Sequence, residues 1–125
     1  MQKIKYIIAL FAILFCILYA QSFTENSMDC DAGNAEACYK EAEAYASISY
    51  KMKKQDIQRN TQKVIDLYKK SCTLGYAKGC SQYGMRYAAD TEKDLGKNDA
   101  YYFQKACDGG DLTGCTLLKM MTLRK

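Results

Sequence analysis

Six of the seven cysteines in this 125-residue chain fall into three pairs of identical spacing. Cys30 and Cys38, Cys72 and Cys80, and Cys107 and Cys115 each read C-x-x-G-x-x-x-[GA]-C. The chemistry open to residues of this type at this spacing is disulfide formation. Six unrelated buried thiols are the alternative, and the threefold repetition argues against it. Eight positions on one straight helix span about 12 Å, whereas bridged cysteines need Cα atoms roughly 4.4–6.8 Å apart. If the pairs are bridged, the chain must therefore reverse between them. Gly33, Gly75 and Gly110 stand three residues after the first cysteine of each pair, the place for a left-handed helix C-cap. The second cysteine then lies in the first turn or two of a following helix. Each pair so read marks two antiparallel helices stapled at their connection, and a nine-residue loop closed this way contributes about 2.5 kcal/mol in the chain-entropy picture.

The elements that must position these pairs recur with them. Cys72 and Cys107 are 35 residues apart and Cys30 and Cys72 are 42 apart, so the first unit carries an insertion of about seven. Periods of this length signal a solenoid of paired helices. The pattern predicts a short or frayed helix over 23–29, a long helix from Asn34 to about Lys54, and a connection over 55–60. It continues with helices over 61–73 and 77–89, a polar connection over 90–96, and a helix capped by Asn98 or Asp99 running through Cys107. A last helix is capped by Asp111 and ends near Leu123. Small residues stand four positions after the second cysteine, Ala42 and Gly84, as close helix–helix approach requires. Lys119 takes that place in the third unit, which suits a terminal cap. Tyr68, Phe103, Tyr83 and Tyr87 read as core.

The N-terminus has the layout of a secretory signal peptide: Lys3 and Lys5, an uncharged apolar run over 6–20, and polar residues from Gln21. Cleavage after Ala20 or Ser22 is expected, giving a signal peptide over 1–22 and a repeat domain over 23–125. Lipidation at Cys16 and an uncleaved anchor are the alternatives. Phe15 is bulky for a lipoprotein cleavage site, and the apolar run is short of the roughly twenty residues of a spanning helix. Loss of Cys16 leaves six cysteines, an even number that suits export to an oxidising compartment, periplasmic or secreted. Loss of Lys3 and Lys5 from 18 basic residues leaves 16 against 14 acidic ones, near +2 and without a basic block. That balance points away from nucleic acid. Lys51, Lys53 and Lys54 read as a solvated face.

The stretches Tyr101-Tyr102-Phe103-Gln104-Lys105-Ala106-Cys107-Asp108-Gly109-Gly110-Asp111-Leu112-Thr113-Gly114-Cys115, Cys72-Thr73-Leu74-Gly75 to Gly79-Cys80, and Gln82-Tyr83-Gly84-Met85-Arg86-Tyr87 resemble the Sel1-like repeat proteins. More narrowly, they resemble the Helicobacter cysteine-rich proteins, over about residues 30–123. The first unit departs: Asn26 stands where Tyr68 and Phe103 stand, and Ala37 replaces Gly79 and Gly114. The resemblance implies an all-α fold, a right-handed solenoid of disulfide-stapled αα-hairpins with a concave face. It also implies pairing within repeats, Cys30 with Cys38, Cys72 with Cys80 and Cys107 with Cys115. Of fifteen possible pairings of six cysteines, the regular spacing favours the same local set.

The resemblance further implies penicillin binding or β-lactam hydrolysis. The residues give that activity no support. S-x-x-K, the nucleophile–base signature of serine β-lactamases, is absent, as are S-D-N and K-T-G. Thr116 with Lys119 and Thr122 with Lys125 give only T-x-x-K. There is no histidine, and with the cysteines in bridges no metal-ligand set remains. No Gly-rich phosphate loop occurs and no cofactor is implied. Asp108 and Asp111 flank a turn, where Asp111 reads as a cap. No catalytic residue is assigned. Two readings follow. One is a secreted module binding a protein, a peptide or an envelope component on its concave face. The other is a protein acting on β-lactams or cell-wall fragments.

Overall fold

The computed structural model describes residues 1–93 and 96–124. Six α-helices follow one another: α1 Gln2–Asp31, α2 Ala35–Ile48, α3 Lys54–Thr73, α4 Ala77–Arg86, α5 Asp99–Asp108 and α6 Leu112–Leu123. Among the described residues there is no strand. Each helix packs on the next, and in addition α2 touches α4 and α4 touches α6.

The three tight reversals are built alike. Gly33, Gly75 and Gly110 take φ of 95°, 100° and 90°, conformations open to glycine. The amide of each glycine donates to the carbonyl of the first cysteine of its pair, at 3.0 Å in all three. The next amide, of Asn34, Tyr76 or Asp111, reaches back to Asp29, Ser71 or Ala106. These paired bonds define a Schellman motif. The residue that closes one helix also opens the next: Asn34, Tyr76 and Asp111 are the N-caps of α2, α4 and α6. The cysteines thereby face each other with Cα atoms 4.5, 4.4 and 4.5 Å apart, and disulfides join Cys30 to Cys38, Cys72 to Cys80 and Cys107 to Cys115. Asn34 and Asp111 also cap with their side chains. Tyr76 does not, and its ring lies against Tyr39 instead, with centroids 5.3 Å apart.

Three elements differ from the sequence expectation. The expected short helix over 23–29 is the end of α1, a single 30-residue helix that runs through the apolar segment without a break. Residues 1–22 are all exposed, and Phe23, edge-on to Tyr45 at 5.4 Å, is the first partly buried residue. The long helix expected to reach Lys54 ends at Ile48, followed by a 3₁₀ turn over Ser49–Lys51 and extended backbone at Met52 and Lys53. The expected connection over 55–60 is the first turns of α3. Its polarity reflects exposure rather than coil, and its last residue, Asn60, is buried. Asn60 Nδ2 donates to the Tyr45 carbonyl at 3.0 Å and to Ser49 Oγ at 2.6 Å, so a side chain of α3 satisfies the end of α2.

The core runs along this stack. Val64, Ile65, Leu67 and Tyr68 of α3 meet Ala37, Cys38 and Ala42 of α2, while Tyr83 of α4 meets Tyr102 of α5 edge-on at 4.6 Å. Small residues set the spacing. A Cβ added at Gly84 would fall 2.7 Å from the Phe103 ring and 3.2 Å from the Tyr102 Cβ. One at Gly114 would fall 2.5 Å from the Ala106 Cβ. Lys119, the residue of α6 equivalent to Gly84, is exposed. A helix cannot approach α6 there as closely as α5 approaches α4.

Gly84→Val is expected to lower unfolding free energy by about 2 kcal/mol through overpacking against Phe103. Lys119→Ala is expected to change it by no more than about 0.5 kcal/mol. Urea midpoints of the two variants measure both, and equal losses would contradict the role given to Gly84.

Candidate functional site

The hydroxyls that the sequence offers as nucleophiles are committed elsewhere. Thr116 Oγ1 donates to the Leu112 carbonyl at 2.9 Å and Thr122 Oγ1 to the Lys119 carbonyl at 2.7 Å, both within α6. The Thr122–Lys125 pair extends outside the described residues at Lys125. Ser71 donates to the Ala35 carbonyl at 2.7 Å, and Ser81, 1% exposed, donates to Asp111 at 2.5 Å. Asp111 thus caps α6 with one oxygen and holds α4 with the other. Asp108, across the turn, accepts from Gln104 at 2.8 Å. These bonds build helix ends and helix contacts, and they give β-lactam hydrolysis no support.

A different group of side chains comes together on α2, α3 and α4. Tyr68 of α3 is fully buried. The Arg86 guanidinium of α4 lies over its ring, 4.8 Å from the centroid, and its hydroxyl donates to Glu43 of α2. Arg86 is held in place by Gln82, whose Oε1 accepts at 2.5 Å. Tyr39 of α2 lies between two other rings, 5.7 Å from Tyr68 and 5.3 Å from Tyr76. Tyr39, Tyr76, Gln82 and Arg86 are partly exposed and Glu43 is exposed, so the group presents ring faces, a cation and a carboxylate to solvent. Glu43 also lines an open cleft of about 410 Å³ between α1 and α2, beside Lys40 and Phe23.

The electrostatics hold the two phenols of this group in their neutral form. Burial raises the Tyr68 hydroxyl above its ordinary value, and the hydrogen bond and charge of Glu43 raise it further against the opposing Arg86. Tyr39 is raised too, first by burial and then by Glu43. Both phenols stay protonated, and that of Tyr68 donates to Glu43.

A second polar cluster clamps the chain after α4. Asp90, 5% exposed, accepts from Tyr83 Oη at 2.5 Å, Gln62 Nε2 at 3.1 Å and the Glu92 amide at 3.1 Å. Lys69 Nζ stands 3.6 Å away and also donates to the Glu92 carbonyl at 2.6 Å. Burial opposes the charge on Asp90, but the Tyr83 hydroxyl, the Glu92 amide, Gln62 and Lys69 outweigh it and hold the carboxyl below its ordinary value. The segment expected as a polar connection over 90–96 therefore begins with a buried anchor, and its residues 94 and 95 lie outside the described residues.

No family profile, curated protein or solved structure matches the chain. The three stapled helical hairpins are compatible with a Sel1-like cysteine-rich repeat protein. The disulfides and the N-terminal apolar helix suit an exported protein. That helix is also long and apolar enough to cross a membrane.

Sequence reasoning placed Tyr68 in the core and missed its partners. The signal lies in the comparison of units. Tyr68 and Phe103 are equivalent, and the residues five positions after the second cysteines are Glu43 and Met85. Where the core ring of one unit carries a hydroxyl, the unit before it carries the carboxylate that accepts from it.

The Asp90 cluster has a definite pH signature. Its folded-state pKa lies below the ordinary 3.8, so its contribution is fully present above that value and is lost as the pH falls below it. Asp90→Asn is expected to cost about 2 kcal/mol at pH 7. The gap from the parent protein should close in acid. A gap that widened below pH 3.8 in thermal melts would contradict this assignment.

Proposed function

We propose that this chain is an exported Sel1-like repeat protein that binds a protein, a peptide or an envelope component on the surface formed by α2 and α4. Residues 1–22 act as its signal segment and 23–125 form a right-handed solenoid of stapled hairpins. The signal reading is supported by the exposure of every residue in 1–22 and by the first partial burial at Phe23, which lies against Tyr45. Removal of that segment leaves the Cys30–Cys38 staple and the Phe23–Tyr45 contact in place. The solenoid reading is supported by the second helices of the hairpins touching one another, α2 with α4 and α4 with α6. A row of helices drawn together in this way is the inner side of a superhelix, the usual binding surface of repeat proteins.

The observation that carries the binding reading is the Tyr39–Tyr76–Arg86–Gln82–Glu43 group. Tyrosine and arginine held in place by neighbours lose little freedom on binding, and such residues dominate binding hot spots. Their charge is mixed, which suits a peptide or a cell-wall fragment better than a polyanion.

The test is calorimetric titration of the processed protein with muropeptides and with a library of short peptides, alongside a chromogenic cephalosporin assay and intact mass after penicillin. Saturable binding that falls about tenfold or more in Arg86→Ala and Tyr76→Ala, with melting temperatures retained, is the expected result. Cephalosporin turnover or a stoichiometric penicillin adduct would overturn the binding-module reading, as would binding indifferent to both substitutions.

A further inference from the structure

The three staples are chemically alike but unequally covered. Cys30, Cys38, Cys72 and Cys80 are at most 1% exposed, whereas Cys107 and Cys115 are partly exposed. The packing explains the difference. The last turn of α3 lies over the first turn of α2, where Ser71 donates to the Ala35 carbonyl and Tyr68 meets Tyr39. The last turn of α5 lies over the first turn of α4, with Gly109 so close to Ala77 that an added Cβ would fall 2.8 Å from it. Each of the first two staples is thus covered by the hairpin that follows it. α6 packs on α5 and, less extensively, on α4, and of its described residues only Gly114 is buried.

We propose that Cys107–Cys115 is a redox-labile staple, the bond of this protein on which an external dithiol reductant acts, while Cys30–Cys38 and Cys72–Cys80 stay closed. Thiol–disulfide exchange needs a thiolate to reach one sulfur directly, so access selects the bond that reacts. The thiolate of the reductant attacks Sγ of one of the two cysteines and forms a mixed disulfide. The Cys107–Cys115 bond breaks, and its electron pair leaves on the other sulfur as a thiolate that takes a proton from solvent. The second thiol of the reductant then loses its proton and attacks the mixed disulfide, releasing the second cysteine. Two electrons and two protons pass from the dithiol to the protein, and the reductant leaves as its own disulfide. The product keeps two stapled hairpins and an α6 held by packing on α5 and by the Ser81–Asp111 bond. This inference is independent of what the protein binds.

The test uses the oxidised full chain, with the exposed free thiol of Cys16 first blocked by N-ethylmaleimide. Graded dithiothreitol, an iodoacetamide quench and peptide mapping then give a rate for each pair. Labelling of Cys107 and Cys115 at least about tenfold ahead of the other four is the expected result, a difference that cover alone supplies when α6 opens locally. In guanidinium chloride the three pairs should react together. Equal rates in the folded protein would overturn the proposal, as would earlier reaction of either other pair. A gap that persists in denaturant would also overturn it, because the cause would then be local sequence rather than cover. In the Cys107→Ser, Cys115→Ser double variant the fast phase should vanish while the two slow phases keep their rates. Fast reaction of a remaining pair in that variant would contradict the assignment.

Discussion

Everything in this fold depends on a reversal in which one residue serves two helices. Asn34, Tyr76 and Asp111 each donate an amide to the helix behind and cap the helix ahead. With the shared residue fixed, the first cysteine stands at the third residue before the left-handed glycine and the second stands four residues into the next helix. That register alone brings their Cα atoms to about 4.5 Å. The staple therefore needs no distortion of either helix, and it removes loop-closure freedom from the unfolded chain at three places. A chain with this modest core gains from them in proportion, since the whole stability of a small domain is only about 5–15 kcal/mol.

The same register sets the contacts between units while leaving their chemistry free. The residue after the second cysteine meets the cap of the next unit at both junctions. At the first it is Tyr39 against Tyr76, two rings at 5.3 Å. At the second it is Ser81 donating to Asp111 at 2.5 Å. The core ring varies in step with its neighbour, a tyrosine where Glu43 accepts its hydroxyl and a phenylalanine where the equivalent residue is Met85. At the position after the second cysteine, the first junction thus carries a pair of rings and the second a hydrogen bond. The junctions differ in these side chains, since the backbone frame of the reversals is nearly the same in each unit.

The hairpin turns were legible because their determinants are local: a cysteine, a glycine three residues on and a small residue before the second cysteine. Close approach at Gly84 was legible for the same reason. The boundary between α2 and α3 was not, because it is decided at a distance. Asn60 ends α2 by bonding Tyr45 and Ser49 from the facing helix, and nothing within 45–60 announces that partnership. Asp90 was hidden in the same way, a buried anchor inside a polar run whose partners come from α3 and α4. The Tyr68–Glu43–Arg86 group joins three helices, so its members carry no common spacing. Periodicity finds faces; it does not find which charges those faces bring together.

The central claim is that the chain is stapled within each reversal rather than between them. Proteolysis of the non-reduced protein, with the linked peptides identified by mass spectrometry, tests it most directly. The account predicts three linkages and no others: Cys30 with Cys38, Cys72 with Cys80, and Cys107 with Cys115. Any linkage between cysteines of different pairs in the native protein, or six free thiols, would contradict it.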